Sequence, residues 1–412
     1  MSPIRRPAPY RSGLTALGFV CLLALGGCFS WTGNDYSSYG ARLGAFSAET
    51  SGLESRTLTA RFTATPGETV RILNYAGEVD LVMGQGTEVV VEATIYAEGR
   101  DAAQTRRLLD GAAWVSFTGR HGRTYRRLSF GDERTSIHYP ALTKGRLVTT
   151  VAGRRYTIAS VKSASTPTLF ANLTIRVPAS APFVVRNIAG HVSGGSLEGD
   201  LVVKTGVGNV RIEAFAGDLT ADTGSGNITL GSVVGKLLAD TGSGDIQIER
   251  LSGRANLDTG SGDIEVAQID AERVVADTGS GDVEIRNGSV GEINADTGSG
   301  HIRVIGVEFE SFRGDTGSGN IHITSGLVNA YRLIADTGSG NVTIVAGPDA
   351  SFHLKTDIGS GRVYVGFDDA RLEMDGREVV GAFRGDGKTR IHVDTGSGNC
   401  TIKPRSRGEA AG

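Results

Sequence analysis

Aromatic residues and net charge are both scarce in this chain of 412 residues. Phe, Trp and Tyr together make up 6%, which argues against a single large aromatic core. The formal net charge is only −3, so the composition gives no global signal for nucleic-acid binding. From residue 219 to residue 403, no stretch places apolar residues at the 3.6-residue period of a helix, and this excludes a helical bundle there.

Cysteine is almost absent, and each of its three positions has a separate explanation. Cys21 lies in an N-terminal apolar run that we expect to be removed, and Cys28 ends that run. Cys400 therefore remains alone, which excludes an intramolecular disulfide in the mature chain. Because Cys400 stands where the other repeats have Ile or Val, we predict a small buried hydrophobic residue rather than a nucleophile.

The apolar run near the N-terminus is too short for a comfortable membrane span. Arg5 and Arg6 precede it, and its sequence, GLTALGFVCLLALGG, is typical of a secretory signal peptide. The run ends in LGGC, which resembles the lipobox of bacterial lipoproteins, with Cys28 as the lipidated residue. We predict a signal peptide over 1–27 and a flexible tether, rich in Ser, Gly and Thr, over 28–56. The aromatic residue after the cysteine favours the outer membrane, and an ordinary cleaved signal is the alternative.

Glycine, by contrast, is abundant, with 60 residues, and much of it belongs to one repeated motif. Asp-Thr-Gly-Ser surrounds the catalytic carboxylate of pepsin-like and retroviral aspartic proteases, and here the letters DTGSG occur eight times. Such a protease needs two carboxylates that share one proton, one from each of two lobes. Eight copies in one series do not fit that arrangement, so we interpret the motif as part of a periodic structure.

The motifs recur every 18 to 21 residues, with a final interval of 37 that equals about two periods. Within each repeat apolar and polar residues alternate, which is the period of a β-strand. A unit this short cannot bury its own apolar face and must stack on its neighbours. The sequence therefore predicts an all-β fold, a parallel β-solenoid, and its crossovers favour a right-handed coil.

The alternation also predicts which side chains of the motif point inward. Leu219, Ala221, Thr223 and Ser225 are expected inside the coil, and Asp222 outside. The two glycines supply a tight corner, in which each Asp accepts backbone N–H groups and the Thr and Ser hydroxyls form internal ladders. The predicted structural corner ladder consists of Asp222, Asp240, Asp258, Asp277, Asp296, Asp315, Asp336, Asp357 and Asp394.

Outside the repeats, turn and strand patterns set the boundaries. Residues 57–96 share their pattern with the start of 169–403, so we predict degenerate first coils in the former and the solenoid in the latter. Between them, 97–168 is predicted to be an irregular, arginine-rich excursion, in which Asp101 is the N-cap of a short helix. Residues 404–412 are predicted to be a disordered tail.

Charge is unevenly distributed although its sum is small. From 101 to 162 there are twelve Lys and Arg against four Asp and Glu, and from 196 to 403 there are eighteen against thirty-one. A basic segment therefore precedes an acidic one. We expect the basic segment either to contact an anionic surface, such as a phosphate-bearing envelope polymer or lipid head groups, or to brace the protein's own acidic edge.

Two segments and the repeats together resemble a known family. The opening TPGETVRILNYAGEVDLV, the block IRVPASAPFVVRNIAGHVSG and the DTGSGDI units look like the bacterial β-strand-repeat “putative adhesin” family, a domain of unknown function. The resemblance covers about residues 57 to 403. It implies an exported, solenoid-like envelope protein, and it implies no catalytic residues. The arginine-rich excursion is longer than the family pattern.

Two chemical alternatives stay open on the residues alone. Calcium between coils would relieve repulsion among stacked carboxylates, with Asp245, Asp263 and Asp282 as further oxygen ligands. Equivalent positions elsewhere hold Asn, His or Arg, however, and the GGxGxD signature of calcium-binding repeats is missing. A polysaccharide lyase or hydrolase would need carboxylates and a basic residue on one outward face, where His301 and His322 fall on adjacent coils.

The function predicted from the sequence is a non-enzymatic, lipid-anchored scaffold or binding module of the bacterial cell envelope, similar to adhesins. Its lipid would hold it to the membrane, and envelope polysaccharide or anionic head groups would be its partners. The sequence indicates no cofactor and no nucleic-acid partner, and it leaves the ligand and the oligomeric state open.

Overall fold

The computed structural model describes residues 36–44, 48–65, 67–119, 122–130, 135–163 and 165–406. From Tyr36 onward they form one compact unit. The predicted signal peptide at 1–27, Cys28 and most of the predicted tail at 404–412 lie outside the described residues.

The N-terminal strands differ from the prediction in two respects. The segment predicted as a tether at 28–56 contains a strand, in which Ala41 is buried. In the segment predicted as first coils at 57–96, only the middle strands pair in parallel with the array. The outer two pair antiparallel with each other, and the last also pairs antiparallel with residues 168–176. These strands are β1 (Tyr36–Leu43), β2 (Glu54–Thr63), β3 (Val70–Ala76), β4 (Val79–Met83) and β5 (Glu88–Glu98).

The excursion at 97–168, predicted to be irregular, is built of regular elements. Its helix, α1 (Ala102–Asp110), begins at the predicted N-cap, where Asp101 accepts from the backbone N–H of Gln104. The strands that follow are β6 (Ala113–Thr118), β7 (Thr124–Ser129), β8 (Ser136–His138), β9 (Leu142–Val151) and β10 (Arg154–Ala159). Because β9 pairs antiparallel with both β1 and β10, the three strands form one sheet.

Long parallel strands make up the array and confirm the predicted solenoid. Its longer strands alternate buried and more exposed residues, as in β15, and several bend at a glycine with positive φ such as Gly217. The strand β3 pairs with β12, so it is the first strand of the array. The strands are β11 (Thr168–Val177), β12 (Phe183–Ala189), β13 (Val192–Val207), β14 (Val210–Thr223), β15 (Ile228–Thr241), β16 (Ile246–Thr259), β17 (Ile264–Thr278), β18 (Val283–Thr297) and β19 (Ile302–Thr316).

The last coils do not stack in the order of the sequence. The strand β27 pairs in parallel with β21 on one side and β23 on the other, so the end of the chain inserts between two earlier coils. A hairpin of β25 and β26 precedes this insertion. The strands are β20 (Ile321–Ser325), β21 (Arg332–Thr337), β22 (Val342–Ala346), β23 (Phe352–Ile358), β24 (Val363–Val365), β25 (Arg371–Asp375), β26 (Glu378–Arg384), β27 (Thr389–Thr395) and β28 (Cys400–Pro404).

Candidate binding surfaces

Equivalent residues of successive coils lie side by side, about 4.8 Å apart, and we call each such set a lane. The acidic lane is the set of nine aspartates predicted as the corner ladder. The flanking lane lies two positions before it and comprises Thr220, Leu238, Asn256, Val275, Asn294, Arg313, Ile334, His392 and Lys355. The acceptor lane lies five positions after the acidic lane, and it continues through the equivalent positions of the two preceding coils. It comprises His191, Asn209, Asn227, Asp245, Asp263, Asp282, His301, Asn320, Asn341, Asn399 and Arg362.

A buried threonine joins two coils at each of the eight DTGSG corners. The hydroxyl of Thr278 donates to the carbonyl of Gly262 in the preceding coil (2.8 Å) and accepts from the N–H of Gly281 in its own turn (3.1 Å). The ladder predicted for the threonine hydroxyls therefore consists of hydrogen bonds from these hydroxyls to backbone carbonyls. The same donation is made by Thr223, Thr241, Thr259, Thr297, Thr316, Thr337 and Thr395.

The glycines of the motif allow the corners of adjacent coils to touch. A Cβ on Gly281 would lie 1.9 Å from the carbonyl oxygen of Gly262, which is far inside contact distance. Close approach, rather than positive φ, therefore requires glycine here. The serine between the glycines was predicted to be inside, but Ser225 is half-buried and Ser243 is exposed, because the turn ends the strand alternation.

The acceptor lane satisfies backbone N–H groups of neighbouring coils. Asp282 Oδ1 accepts from the N–H of His301 (2.7 Å), and His301 Nδ1 accepts from the N–H of Asn320 (2.9 Å). Asn, Asp and His all carry an acceptor atom bonded to Cγ, so they can replace one another in this role. Arg362, whose side chain has no such acceptor, ends the lane, and its backbone N–H donates to Asn399.

This pattern accounts for the three aspartates considered as calcium ligands. Asp245, Asp263 and Asp282 each accept the N–H of the next residue in the acceptor lane. Asp282 is also paired with Arg303, 2.7 Å away, and its pKa is lowered although partial burial opposes this. Among the described residues, no group of three His, Cys, Asp or Glu side chains is arranged to hold a metal ion.

The acidic lane makes no bonds of this kind. Within the part of the chain that the structure describes, no backbone N–H donates to any of its nine carboxylates, which differs from the predicted corner role. Its carboxylates face outward, as predicted, and stay in register from Asp222 to Asp357. Lys204 occupies the position before the first of them and pairs with Asp222.

Partial burial and mutual repulsion raise the pKa of several of these carboxyls. Partial burial, and then the charges of its two neighbours in the lane, raise the pKa of Asp240 to about 6. The same two causes raise the pKa of Asp296 to about 6. Partial burial also raises the pKa of Asp258, Asp277, Asp336 and Asp394. Like charges directly opposite on paired strands destabilise a sheet, so this lane weakens the fold at neutral pH.

Folding therefore does not explain why aspartate recurs in the acidic lane. The flanking lane is next to it on the same face, and its residues change from coil to coil between polar, apolar and basic. The acidic lane keeps one residue in nine coils, although that residue repels its neighbours and accepts no corner N–H from the residues that the structure describes. A residue that is kept at a structural cost indicates a functional surface.

The two histidines considered for polysaccharide chemistry lie on the outward β-surface. The ring of His301 belongs to the acceptor lane, and His322 Nε2 lies 3.2 Å from Thr324 Oγ1. These contacts form a surface network along the sheet. They differ from a pair of carboxylates that flank a bound sugar.

A second charged surface lies on the three strands β1, β9 and β10, which we call the basic sheet. Leu147 and Ile158 of its inner face are buried, and Tyr156 contacts Tyr75 on β3 with ring centroids 4.7 Å apart. Its strands contain no Asp or Glu and hold the five cations Arg42, Lys144, Arg146, Arg154 and Arg155.

Other arginines of the excursion pack internally. The guanidinium of Arg126 lies 3.7 Å from the centre of the Phe62 ring. That of Arg127 lies 5.7 Å from the rings of both Tyr75 and Phe117. These two cations brace the excursion against the first strands and do not form part of the basic sheet.

Cys400 is buried at a position equivalent to Val342, and burial raises the pKa of its thiol to about 12.

The described residues contain no helix with the length and apolar character needed to cross a bilayer.

Comparison with solved structures finds distant likenesses. A “putative cell adhesion protein” from Clostridium sporogenes is 11% identical, with 85% of this chain and 100% of that one covered and a TM-score of 0.17. A “putative lipid binding protein” from Parabacteroides distasonis is 12% identical, with 84% and 96% covered and a TM-score of 0.31. A “putative adhesin” from Bacteroides fragilis is 13% identical, with 85% and 97% covered and a TM-score of 0.26. Likenesses this distant carry no functional conclusion for this chain.

The sequence itself gives a clearer assignment. No curated protein matches it. Residues 234–403 match the family described as Toastrack DUF4097, which confirms the resemblance seen in the repeats over that range. Residues 234–403, which carry most of the acidic lane, are thus similar to Toastrack DUF4097 domains.

Proposed function

We propose that the protein is a non-enzymatic, adhesin-like binding module of the bacterial cell envelope, anchored by lipid at Cys28. Its acidic lane contacts an extended polymer, and envelope polysaccharide with amino or hydroxyl groups along its length is the ligand class that fits best.

One observation carries this proposal, the repetition of a single carboxylate in nine coils beside a lane that varies. A lane with a repeat of about 4.8 Å offers the same contact many times. Weak contacts to a repeating ligand then add up, whereas a single small molecule would use only one or two of them.

The same repetition argues against catalysis. An active site needs groups with different environments in one place, for example an acid and a base with separated pKa values. The acidic lane supplies one environment many times. Its two most perturbed members, Asp240 and Asp296, have pKa values raised alike to about 6 by the same causes.

The binding proposal is tested with purified protein on glycan arrays and on envelope extract. We expect the triple variant Asp258→Asn, Asp277→Asn and Asp296→Asn to bind at least about tenfold more weakly, because three adjacent contacts are lost. The matched control removes three exposed carboxylates outside the lane, by Glu249→Gln, Asp270→Asn and Glu310→Gln. Equal losses in both variants, or no retained polymer, would contradict the proposal.

The anchor is tested separately on protein taken from membranes. Mass spectrometry of the N-terminal peptide should find acyl chains on Cys28, because LGGC resembles a lipobox. Several acyl chains hold a protein firmly, since two anchoring signals already suffice. An unmodified Cys28, or a mature chain that starts elsewhere, overturns the anchor while leaving the binding proposal intact.

A further inference from the structure

We infer that the basic sheet is the surface with which the protein lies on the anionic phospholipid bilayer that holds its anchor. This inference rests on the proposed lipidation of Cys28. It assigns a docking role to a part of the chain outside the Toastrack DUF4097 match at 234–403.

The outer face of the basic sheet gathers cations. Strand alternation sets this face, because Leu43, Leu147 and Tyr156 pack against the core and their neighbours in sequence point away from it. Register places Arg42 opposite Lys144, so these two side chains share a side. The exposed cations of the outer face are Arg42, Lys144, Arg146 and Arg155.

The length of chain between anchor and sheet restricts where this face can be. Tyr36, the first residue of β1, is eight residues after Cys28 (36 − 28 = 8) and pairs with Thr149 on β9. Even fully extended, eight residues span at most about 29 Å. This short connection keeps the basic sheet near the head groups. The acidic lane, in contrast, starts at Asp222, nearly two hundred residues after Cys28.

Charge complementarity gives the sheet an orientation on the membrane. The chain as a whole has a net charge of −3, so a bilayer with anionic lipids repels it unless a local surface is attracted. Screening limits attraction to about 8–10 Å, which favours charges gathered on one face. The outer face of the basic sheet meets this condition, because its three described strands contribute cations and no carboxylate, whereas the acidic lane does not meet it.

Vesicle binding of residues 29–412 tests the inference without the lipid. This chain retains the whole compact unit that begins at Tyr36. We expect it to sediment with phosphatidylcholine vesicles that contain about one-third phosphatidylglycerol, and not with vesicles of pure phosphatidylcholine. Raising the salt concentration from about 0.05 to 0.5 M should release it. Because Cys28 is absent, failure here leaves the anchor untouched, and an unmodified Cys28 in cells leaves this result untouched.

Charge reversal locates the surface. Lys144→Glu with Arg155→Glu should weaken binding by at least about 25-fold, since each cation near an anionic surface contributes roughly fivefold. The matched control, Arg332→Glu with Arg390→Glu, reverses two exposed arginines that pair on adjacent strands of the array, and should stay within about twofold. Equal loss in both variants, salt-insensitive binding, no binding, or preference for a soluble anionic polysaccharide over the vesicles overturns the inference.

Discussion

The acceptor lane and the acidic lane both run along the array, one after and one before the glycine turn, and both contain aspartate. They differ in the hydrogen bonds that their side chains make. In the acceptor lane the residue changes between Asn, Asp and His while the bond stays the same, as at Asp282 and His301. In the acidic lane the residue stays the same, and among the described residues no backbone N–H donates to its carboxylate. The first lane stabilises the stack, and the second weakens it at neutral pH.

The comparison shows that repetition in a sequence has two different causes. Packing and hydrogen bonding preserve a geometry, so any residue with the right acceptor atom will serve. A lane that preserves chemical identity against a cost is under some other constraint. Substitutions in the corner can therefore be ranked by whether they break the stack or only change the surface.

The largest effect is expected from a glycine that touches the coil beneath. Gly281→Ala should lower the free energy of unfolding by more than about 3 kcal/mol, because its Cβ would lie 1.9 Å from the Gly262 oxygen and the coils must separate. Urea unfolding followed by circular dichroism measures the loss. Gly195→Ala, where a Cβ meets no atom within 4 Å, is the control. A mild effect at Gly281 would mean that the stack can open at little cost.

A loss of about 2–3 kcal/mol is expected from removing the corner hydroxyl. Thr278→Val keeps the shape but leaves the Gly262 carbonyl and the Gly281 N–H without their partner in a buried site. Thr278→Ser keeps the hydroxyl and should lose clearly less. Thermal melts of both variants check this, and equal losses would show that the methyl group, rather than the hydroxyl, matters.

Much of this geometry could be predicted from the sequence, because a strand's alternation tells inside from outside. It placed Leu219 and Thr223 in the core and Asp222 on the surface, as the structure has them. It could not choose bonding partners, since these belong to the neighbouring coil. The sequence pattern therefore predicts corner bonds to the aspartates. In the structure these bonds are made by the threonines and by the acceptor lane, whose residue type varies from coil to coil.

Two further features were out of reach for a physical reason. All coils share one pattern, so the sequence cannot tell that β27 lies between β21 and β23; Asp394, last in sequence, is flanked on both sides. The excursion has no repeat at all, and pairings such as that of β1 with β9 join residues about a hundred positions apart. Its basic character was visible from composition, but the face that carries the charges was not.

The role of the acceptor lane can be tested by a substitution that keeps the acceptor atom bonded to Cγ and changes the residue. His301→Asn should leave stability within about 0.5 kcal/mol, because the amide oxygen takes the place of Nδ1 and accepts from Asn320. His301→Ala and His301→Gln should each cost on the order of 1 kcal/mol, since one lacks the acceptor and the other places it a methylene farther. Denaturant melts compare the three, and a costly Asn substitution would refute the common-acceptor account.

The acidic lane should respond to pH in a defined direction. The pKa of Asp296 is raised to about 6 by burial and its neighbours, so the folded chain binds this proton more tightly than the unfolded chain. Its contribution to stability is fully present below the ordinary aspartate pKa and is lost as the pH rises through about 6. Asp296→Asn removes the loss, and should match wild type near pH 4 and exceed it near pH 8 by on the order of 1 kcal/mol, after discounting for solvent screening. Melts across this range test it; a pH-independent difference would contradict the charge argument.

The smallest effect is expected at Asp277, one of the carboxylates for which the sequence motif suggests a structural or a catalytic role. Asp277 accepts no backbone N–H in the described structure, and partial burial raises its pKa, so Asp277→Asn should be neutral or mildly stabilising. Asp277→Ala should stay within about 0.5 kcal/mol for the same reason. A corner role would instead cost about 1 kcal/mol in the alanine variant alone. Calcium between coils would make both variants costly and would let EDTA lower the wild-type melting temperature. Thermal melts of the three proteins with and without calcium separate these outcomes. If Asp277→Ala hardly changes stability while Thr278→Val lowers it, the stabilising residue and the ligand-facing residue of the motif are neighbours in sequence.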